Sequence, residues 1–194
     1  VAIDAPIKFN VLKLRNVSGR DRRISVTGYY EWVLADLRQK SLLHVQTEID
    51  VKTGVFFARN FYNIGFAGKI AFVDVGESRT LTGDRTEFIG RNGSLSQPAA
   101  MKRTRLSGKV GAGLDPCAAI QVVFELADGQ ERETRFRLGF AQNKNEMRDL
   151  VSRFRQVGAV KEALNGVWAY WNKTLGTINV DTPDPSVNVM ANGW

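Results

Sequence analysis

Cysteine and histidine are almost absent: the 194 residues hold one of each, Cys117 and His44. A single cysteine excludes an internal disulfide framework. One histidine and one cysteine cannot assemble a zinc site of the usual kinds, so no metal site is expected. No apolar run approaches the roughly 20 residues that a bilayer span needs, and direct membrane insertion is not expected of these residues. The start, Val1-Ala2-Ile3-Asp4, has neither the basic nor the apolar region of a signal peptide and lacks an initiator Met, so the chain reads as cut from something longer. Low-complexity tracts, a nucleophile elbow, a phosphate loop and the dinucleotide glycine fingerprint are also missing. No motif here nominates a catalytic residue, and no cofactor is expected.

What is present is an ordinary globular composition, 43% hydrophobic and 24% charged, in a chain long enough for a proper core. The formal charge is +7 and the pI near 9.8. A nucleic-acid ligand would want that charge concentrated. Here it is scattered over turns, strands and a helix, so no nucleic-acid partner is expected. The densest basic group, Lys102, Arg103, Arg105 and Lys109, lies in a glycine-containing loop and suits an anionic substrate or an acidic neighbouring domain.

The first three-quarters read as strands. Ile24, Val26, Gly28, Tyr30, Trp32 and Leu34 alternate with polar residues, as do Leu43, Val45, Thr47, Ile49 and Val51. That second pattern puts His44 on the polar face of a strand. Between Ile7 and Leu14 the apolar phase switches, which predicts either a bulge or a strand covered on both faces. A further strand is expected near Lys69–Val75. Ile120, Val122, Phe124 and Leu126 precede Asp128-Gly129, and Thr134, Phe136, Leu138 and Phe140 follow it. Asp-Gly between alternating runs predicts a two-stranded hairpin with a type I′ turn. The fold class is mainly β, an antiparallel sandwich.

After Ala141 the period becomes helical. Met147, Leu150, Val151 and Phe154 mark a helix near 146–156 with Asn143 or Asn145 as N-cap, and Val160 to Leu175 a second near 160–175, divided near Gly158. Asp181-Thr182-Pro183-Asp184-Pro185 then breaks the helix and starts a new element. The expected organisation is a sandwich over 1–141, complete or short of its first strands, a helical linker over 142–180, and the start of another domain over 181–194.

One segment is chemically unusual. Gly83-Asp84-Arg85-Thr86-Glu87-Phe88-Ile89-Gly90-Arg91-Asn92-Gly93-Ser94 packs arginines, carboxylates, an amide and glycines together. Arg91 and Asn92 offer several donors to hydroxyls or phosphate, and flanking Gly90 and Gly93 let the backbone come close. They are the candidate substrate-binding residues. Asn92-Gly93 is expected to supply positive φ. In an extended segment Arg85 and Glu87 would share a face and pair with each other. Asp84 and Glu87 could suggest glycoside hydrolysis, which needs two carboxyl groups at a set separation, but nothing local argues a raised pKa. Tyr29, Tyr30, Trp32, Phe61 and Tyr62 could stack on sugars, although core packing accounts for such residues more often. Cys117 is read as buried filler.

This segment, with Pro98-Ala99-Ala100 after it, resembles the sandwich-domain motif of glycoside hydrolase family 94, formerly glycosyltransferase family 36. Ser25–Leu34, Gly113–Ala119 and Thr182–Pro185 resemble the form found in cyclic β-1,2-glucan synthases. The resemblance implies a supersandwich of two large antiparallel sheets, then a helical linker, then an (α/α)6 barrel truncated here. It implies inverting phosphorolysis of β-glucosidic bonds, with inorganic phosphate as co-substrate and the catalytic acid in the barrel. The implied partners are a β-glucan oligosaccharide, the barrel of the same polypeptide and a second copy in a homodimer. The implied location is the cytoplasmic side, with the parent anchored in the bacterial inner membrane.

Overall fold

The computed structural model describes residues 1–193. Its first sheet has five strands: β1 (Ile7–Arg15), β8 (Glu131–Ala141), β5 (Ile70–Asp74), β4 (Phe56–Asn60) and β3 (Val45–Ile49), in that spatial order. The second has three: β2 (Arg22–Glu31), β7 (Pro116–Leu126) and β6 (Thr80–Asp84). Every pairing in both sheets is antiparallel.

Alternation within each strand sends side chains to two different layers. On β4 and β5, Phe56, Ala58 and Val73 point between the sheets and meet Leu81, Ala118, Ile120, Val122 and Trp32. Their neighbours Phe57, Ile70 and Phe72 point the other way. They are covered by Met147, Val151 and Phe154 of α3 (Lys144–Arg155). The centre of the five-stranded sheet, β4 and β5, is thus buried on both faces, which is why adjacent Phe56 and Phe57 are both fully buried. A third cluster covers the outer face of the smaller sheet. Phe88, Ile89, Ala100 and Leu106 pack there on Ala119, with Tyr29 stacked on Phe88 at 4.8 Å.

The helices follow the sequence pattern closely. Asn143 caps α3 by accepting from the amides of Asn145 and Glu146, both at 3.0 Å, and Glu146 reaches back to the Gln142 amide at 2.7 Å. Gly158, with φ of 87°, separates α3 from α4 (Ala159–Leu175). A last helix, α5 (Pro185–Asn192), starts at Asp184, whose carboxylate caps Ser186 with Pro185 in the first turn.

The structure corrects several expectations. β7 and β8 do not pair, so Asp128-Gly129 is not a hairpin tip but a corner between sheets. Both edges of β7 are taken by β2 and β6, and both edges of β8 by β1 and β5. Only Gly129 has positive φ, 75°, whereas a type I′ turn needs it at both central residues. The corner docks on the β1–β2 connection: Gly129 N donates to Asn16 O and Gly19 N to Asp128 Oδ1, both at 2.8 Å. Along β1 the pairing with β8 runs without a break, so there is no bulge. The phase switch marks the other alternative, cover on both faces, with Ile7 and Phe9 under α3 and Leu14 towards the other sheet. β2 stops at Glu31, and Leu34 takes a left-handed φ of 46°. His44 precedes β3 in a turn, its amide bonded to Ser41 O at 2.8 Å, rather than lying on a strand face. Leu43 and Val51 are exposed, so the apolar pattern overran the strand at both ends.

Candidate functional site

The Gly83–Ser94 segment forms a bulge, one helical turn and a tight loop. The β6–β7 register shifts between Thr82 and Asp84, and a Cβ at Gly83 would lie 2.6 Å from Thr47 Oγ1. Asp84 caps α2 (Arg85–Phe88) by accepting from Thr86 N at 2.9 Å, and its other oxygen pairs with Lys109 Nζ at 2.6 Å. Chain reversal follows at Gly90, whose φ is 96°. Gly93 does not have positive φ, contrary to expectation. Its lack of a side chain serves close approach, since a Cβ there would stand 2.0 Å from the Ile89 carbonyl oxygen. Ala99 N closes the loop onto Ile89 O at 3.0 Å.

Helical geometry also overturns the expected Arg85–Glu87 pair. Arg85 points to Glu31 (Nε to Oε1, 2.9 Å) and to Asp115 (Nη1 to Oδ2, 3.6 Å). Arg38, in the single turn α1 (Arg38–Ser41), binds the same two carboxylates, and Tyr29 donates to Glu31 at 2.7 Å. Glu87 turns inward, accepting from Thr82 Oγ1 at 2.6 Å, Ser107 Oγ at 2.5 Å, Ser107 N at 3.0 Å and Arg103 at 3.1 Å. Glu31, Arg38 and Asp115 were not singled out from sequence. Arg85, Glu31 and Asp115 come one each from three of the family-like segments, which converge here. A charged residue ending an apolar strand, as Glu31 does, was the one local signal.

Electrostatics in this cluster favour fixed ions. Burial works against the charge of Glu87, but hydrogen bonds from Ser107 and Thr82 and the Arg103 charge outweigh it and lower its pKa. Glu31 is lowered in the same way, its burial outweighed by bonds from Tyr29 and Arg85. Buried Cys117 has its thiol pushed up to about 12, by burial first and then by Asp84. A depressed carboxylate stabilises the fold above its unfolded pKa, and that stabilisation is lost as pH falls. With a reference value of 4.5 for Glu87, the clamp should loosen below that pH. Glu87→Gln is accordingly expected to flatten the fall of the melting temperature as the pH drops below 4.5. An unchanged slope in thermal melts would show that Glu87 contributes nothing there.

Above this anchored base, Arg91 and Asn92 are exposed, and among the described residues neither side chain has a hydrogen-bond or ion-pair partner. Asp84 and Glu87 are each engaged by cations and donors and are not a free acid–base pair. Trp32 is buried in the core and Tyr29 is packed on Phe88, whereas Phe61 and Tyr62 are exposed. No group of three or more potential metal ligands occurs among the described residues. No helix among them is long and apolar enough to cross a membrane.

Fold and site together define an antiparallel β-sandwich domain with a helical extension and one rigidly based polar loop. Residues 1–157 match the family described as Glycosyl hydrolase 94, supersandwich domain, and the chain belongs to that family. It is 34% identical over 191 residues to the cyclic beta-(1,2)-glucan synthase NdvB of Rhizobium meliloti, covering 97% of this chain and 7% of that protein. It is 26% identical to a cellobionic acid phosphorylase of Neurospora crassa over 94% of this chain and 24% of the relative. Identity to an N,N'-diacetylchitobiose phosphorylase of Vibrio furnissii is 24%, over 94% of this chain and 23% of the relative. The chain therefore spans a quarter or less of the length of these relatives.

Proposed function

We propose that this chain is the sandwich and helical linker of a cyclic β-1,2-glucan synthase, in its phosphorylase-like region, and that it borders the glucan site without supplying the catalytic acid. The observation that carries the reading is the loop itself. Two free polar side chains, Arg91 and Asn92, stand on a base fixed by six ion pairs among eight charged residues. Such preorganisation suits recognition of hydroxyls or of inorganic phosphate, the co-substrate in this reading. A non-catalytic role is supported by the carboxylates: each one whose pKa is displaced is displaced downward, the wrong direction for a general acid.

The partner within the polypeptide would be an (α/α)6 barrel. Trp168, Trp171 and Leu175 on α4 and Val189 and Met190 on α5 are all exposed, and such apolar side chains suit that contact. A homodimer contact and attachment of the parent to the inner membrane from the cytoplasmic side belong to the same reading. The relatives at 26% and 24% identity support a second one, a part of a stand-alone β-glycoside phosphorylase, with the same loop in the same role.

The test belongs in the full-length parent. Arg91→Ala should raise the Michaelis constant for glucan or phosphate about ten- to a hundredfold, as expected for a lost charged hydrogen bond of roughly 1.5–3 kcal/mol. Its melting temperature should hardly move, because Arg91 is exposed and unpaired. Unaltered kinetics with a destabilised fold would make the loop a structural turn and end the reading.

A further inference from the structure

Outside the Gly83–Ser94 loop, two adjoining pockets form a cleft mainly between two connections, residues 33–44 and 60–70. The pockets, about 290 and 520 Å³, share Ala35, Asp36 and Asn60 as lining residues. These volumes are in the range of small-molecule sites, about 300–1,000 Å³. None of its lining residues belongs to the loop carrying Arg91 and Asn92.

Three features give the cleft a chemical character. Leu34, on its wall, is the one non-glycine with positive φ among the described residues, at 46°. Its carbonyl is held by Asn60 Nδ2 at 3.1 Å, so the strained backbone and the cleft's centre are fixed by one hydrogen bond. Such strain persists only where surrounding structure over-determines it, and it collects at binding sites. At the rim, the rings of His44 and Tyr62 stack at 4.2 Å and 12°, with Tyr62 74% exposed. His44 thus backs one face of the exposed Tyr62 ring, which leaves a platform one ring wide. Finally, Asp36, Lys40 and Lys69 line the cleft, and none has an ion-pair partner among the described residues.

These features select among ligands. An apolar peptide would desolvate three charges without ion-pair partners, Lys69 being held only over the Phe66 ring at 4.8 Å, at a high cost. A simple anion would be drawn by the lysines but opposed by Asp36, and would leave the platform unused. A neutral polyhydroxyl ring satisfies all three: its hydroxyls donate to Asp36 and accept from the lysines, while its C–H face packs on an aromatic plane. We propose that this cleft is a second saccharide site, binding a gluco-oligosaccharide with Tyr62 as the stacking platform and Asp36 as acceptor. It stands independently of the role given to Arg91.

The ¹⁵N-labelled 194-residue chain would be titrated with cellotetraose and, separately, with a β-1,2-linked glucotetraose, following backbone amides. Saturable shifts are expected over residues 36–44 and 60–65 with at least one of the two probes. Tyr62→Ala should weaken binding about tenfold or more, and Asp36→Asn should weaken it as well. Both side chains are exposed, so the rest of the spectrum should be preserved. Arg91→Ala should leave these shifts unchanged. Shifts confined to residues 83–94 would overturn the proposal while favouring the loop reading. Absence of shifts at large excess of both sugars, or equal affinity of wild type and Tyr62→Ala, would overturn it outright.

Discussion

Asp74→Asn is expected to destabilise the fold by about 3–5 kcal/mol, the usual effect of removing one partner from a buried ion cluster. Asp74 ends β5 and is completely buried. Arg155 of α3 reaches it twice, at 2.6 and 3.1 Å, and Arg137 of β8 once, at 3.3 Å. Both arginines also hold backbone: Arg137 donates to Phe154 O at 2.9 Å and Arg155 to Thr53 O at 3.0 Å. One carboxylate thus ties the end of α3 to the middle of the larger sheet. Burial already pulls the Arg137 pKa down, with the Asp74 charge opposing that pull. Without it, two guanidinium groups would face each other with no anion between them. At about 2–4 °C per kcal/mol for a chain of this size, the melting temperature should fall by roughly 6–20 °C. The comparison is Lys13–Glu131, whose side chains are 61% and 45% exposed; solvent screens that pair, and Lys13→Ala should leave the melting temperature almost unchanged. Equal shifts for the two variants in thermal melts would remove the special standing of the Asp74 cluster.

That cluster also shows where sequence reading ends. The helices were legible because their signals are local: Asn143 before an amphipathic period, Gly158 between two helices, Asp184-Pro185 at the next start. Strand existence was legible from period two. Which strands pair was not, because alternation on β7 and β8 says that each has a buried face but not which neighbour covers it. Asp128-Gly129 looked like a hairpin for that reason; its partners, Asn16 and Gly19, lie over 100 residues away. The loop base was misread in the same way. Arg85 and Glu87 are close in sequence, yet a single helical turn sends one to Glu31 and the other to Ser107. The exposure of Arg91 and Asn92, by contrast, follows from the local glycine-flanked loop and depends on no distant partner.

Phe72 and Gly139 should be energetically coupled strongly enough to reverse the sign of a substitution. They sit opposite each other on β5 and β8. Phe72 is fully buried in the layer beneath α3, with Phe57, Met147 and Phe154. Its ring lies over Gly139, so that a Cβ there would stand 2.2 Å from Phe72 Cζ. Phe72→Ala should cost about 3–5 kcal/mol through lost burial and the cavity left behind. Gly139→Ala alone should cost roughly 1–3 kcal/mol, because the ring is walled in on every side and cannot yield. The φ of Gly139 is not positive, so alanine meets no backbone strain there. Once the ring is gone, the same alanine partly fills the cavity and removes the entropic penalty of glycine in a strand, about 0.5–1 kcal/mol. In the Phe72→Ala background Gly139→Ala should therefore be neutral or stabilising, and chemical denaturation of the four proteins would measure the coupling. If Gly139→Ala destabilises both backgrounds equally, the ring does not rest on Gly139, and the glycine serves some other need of the strand.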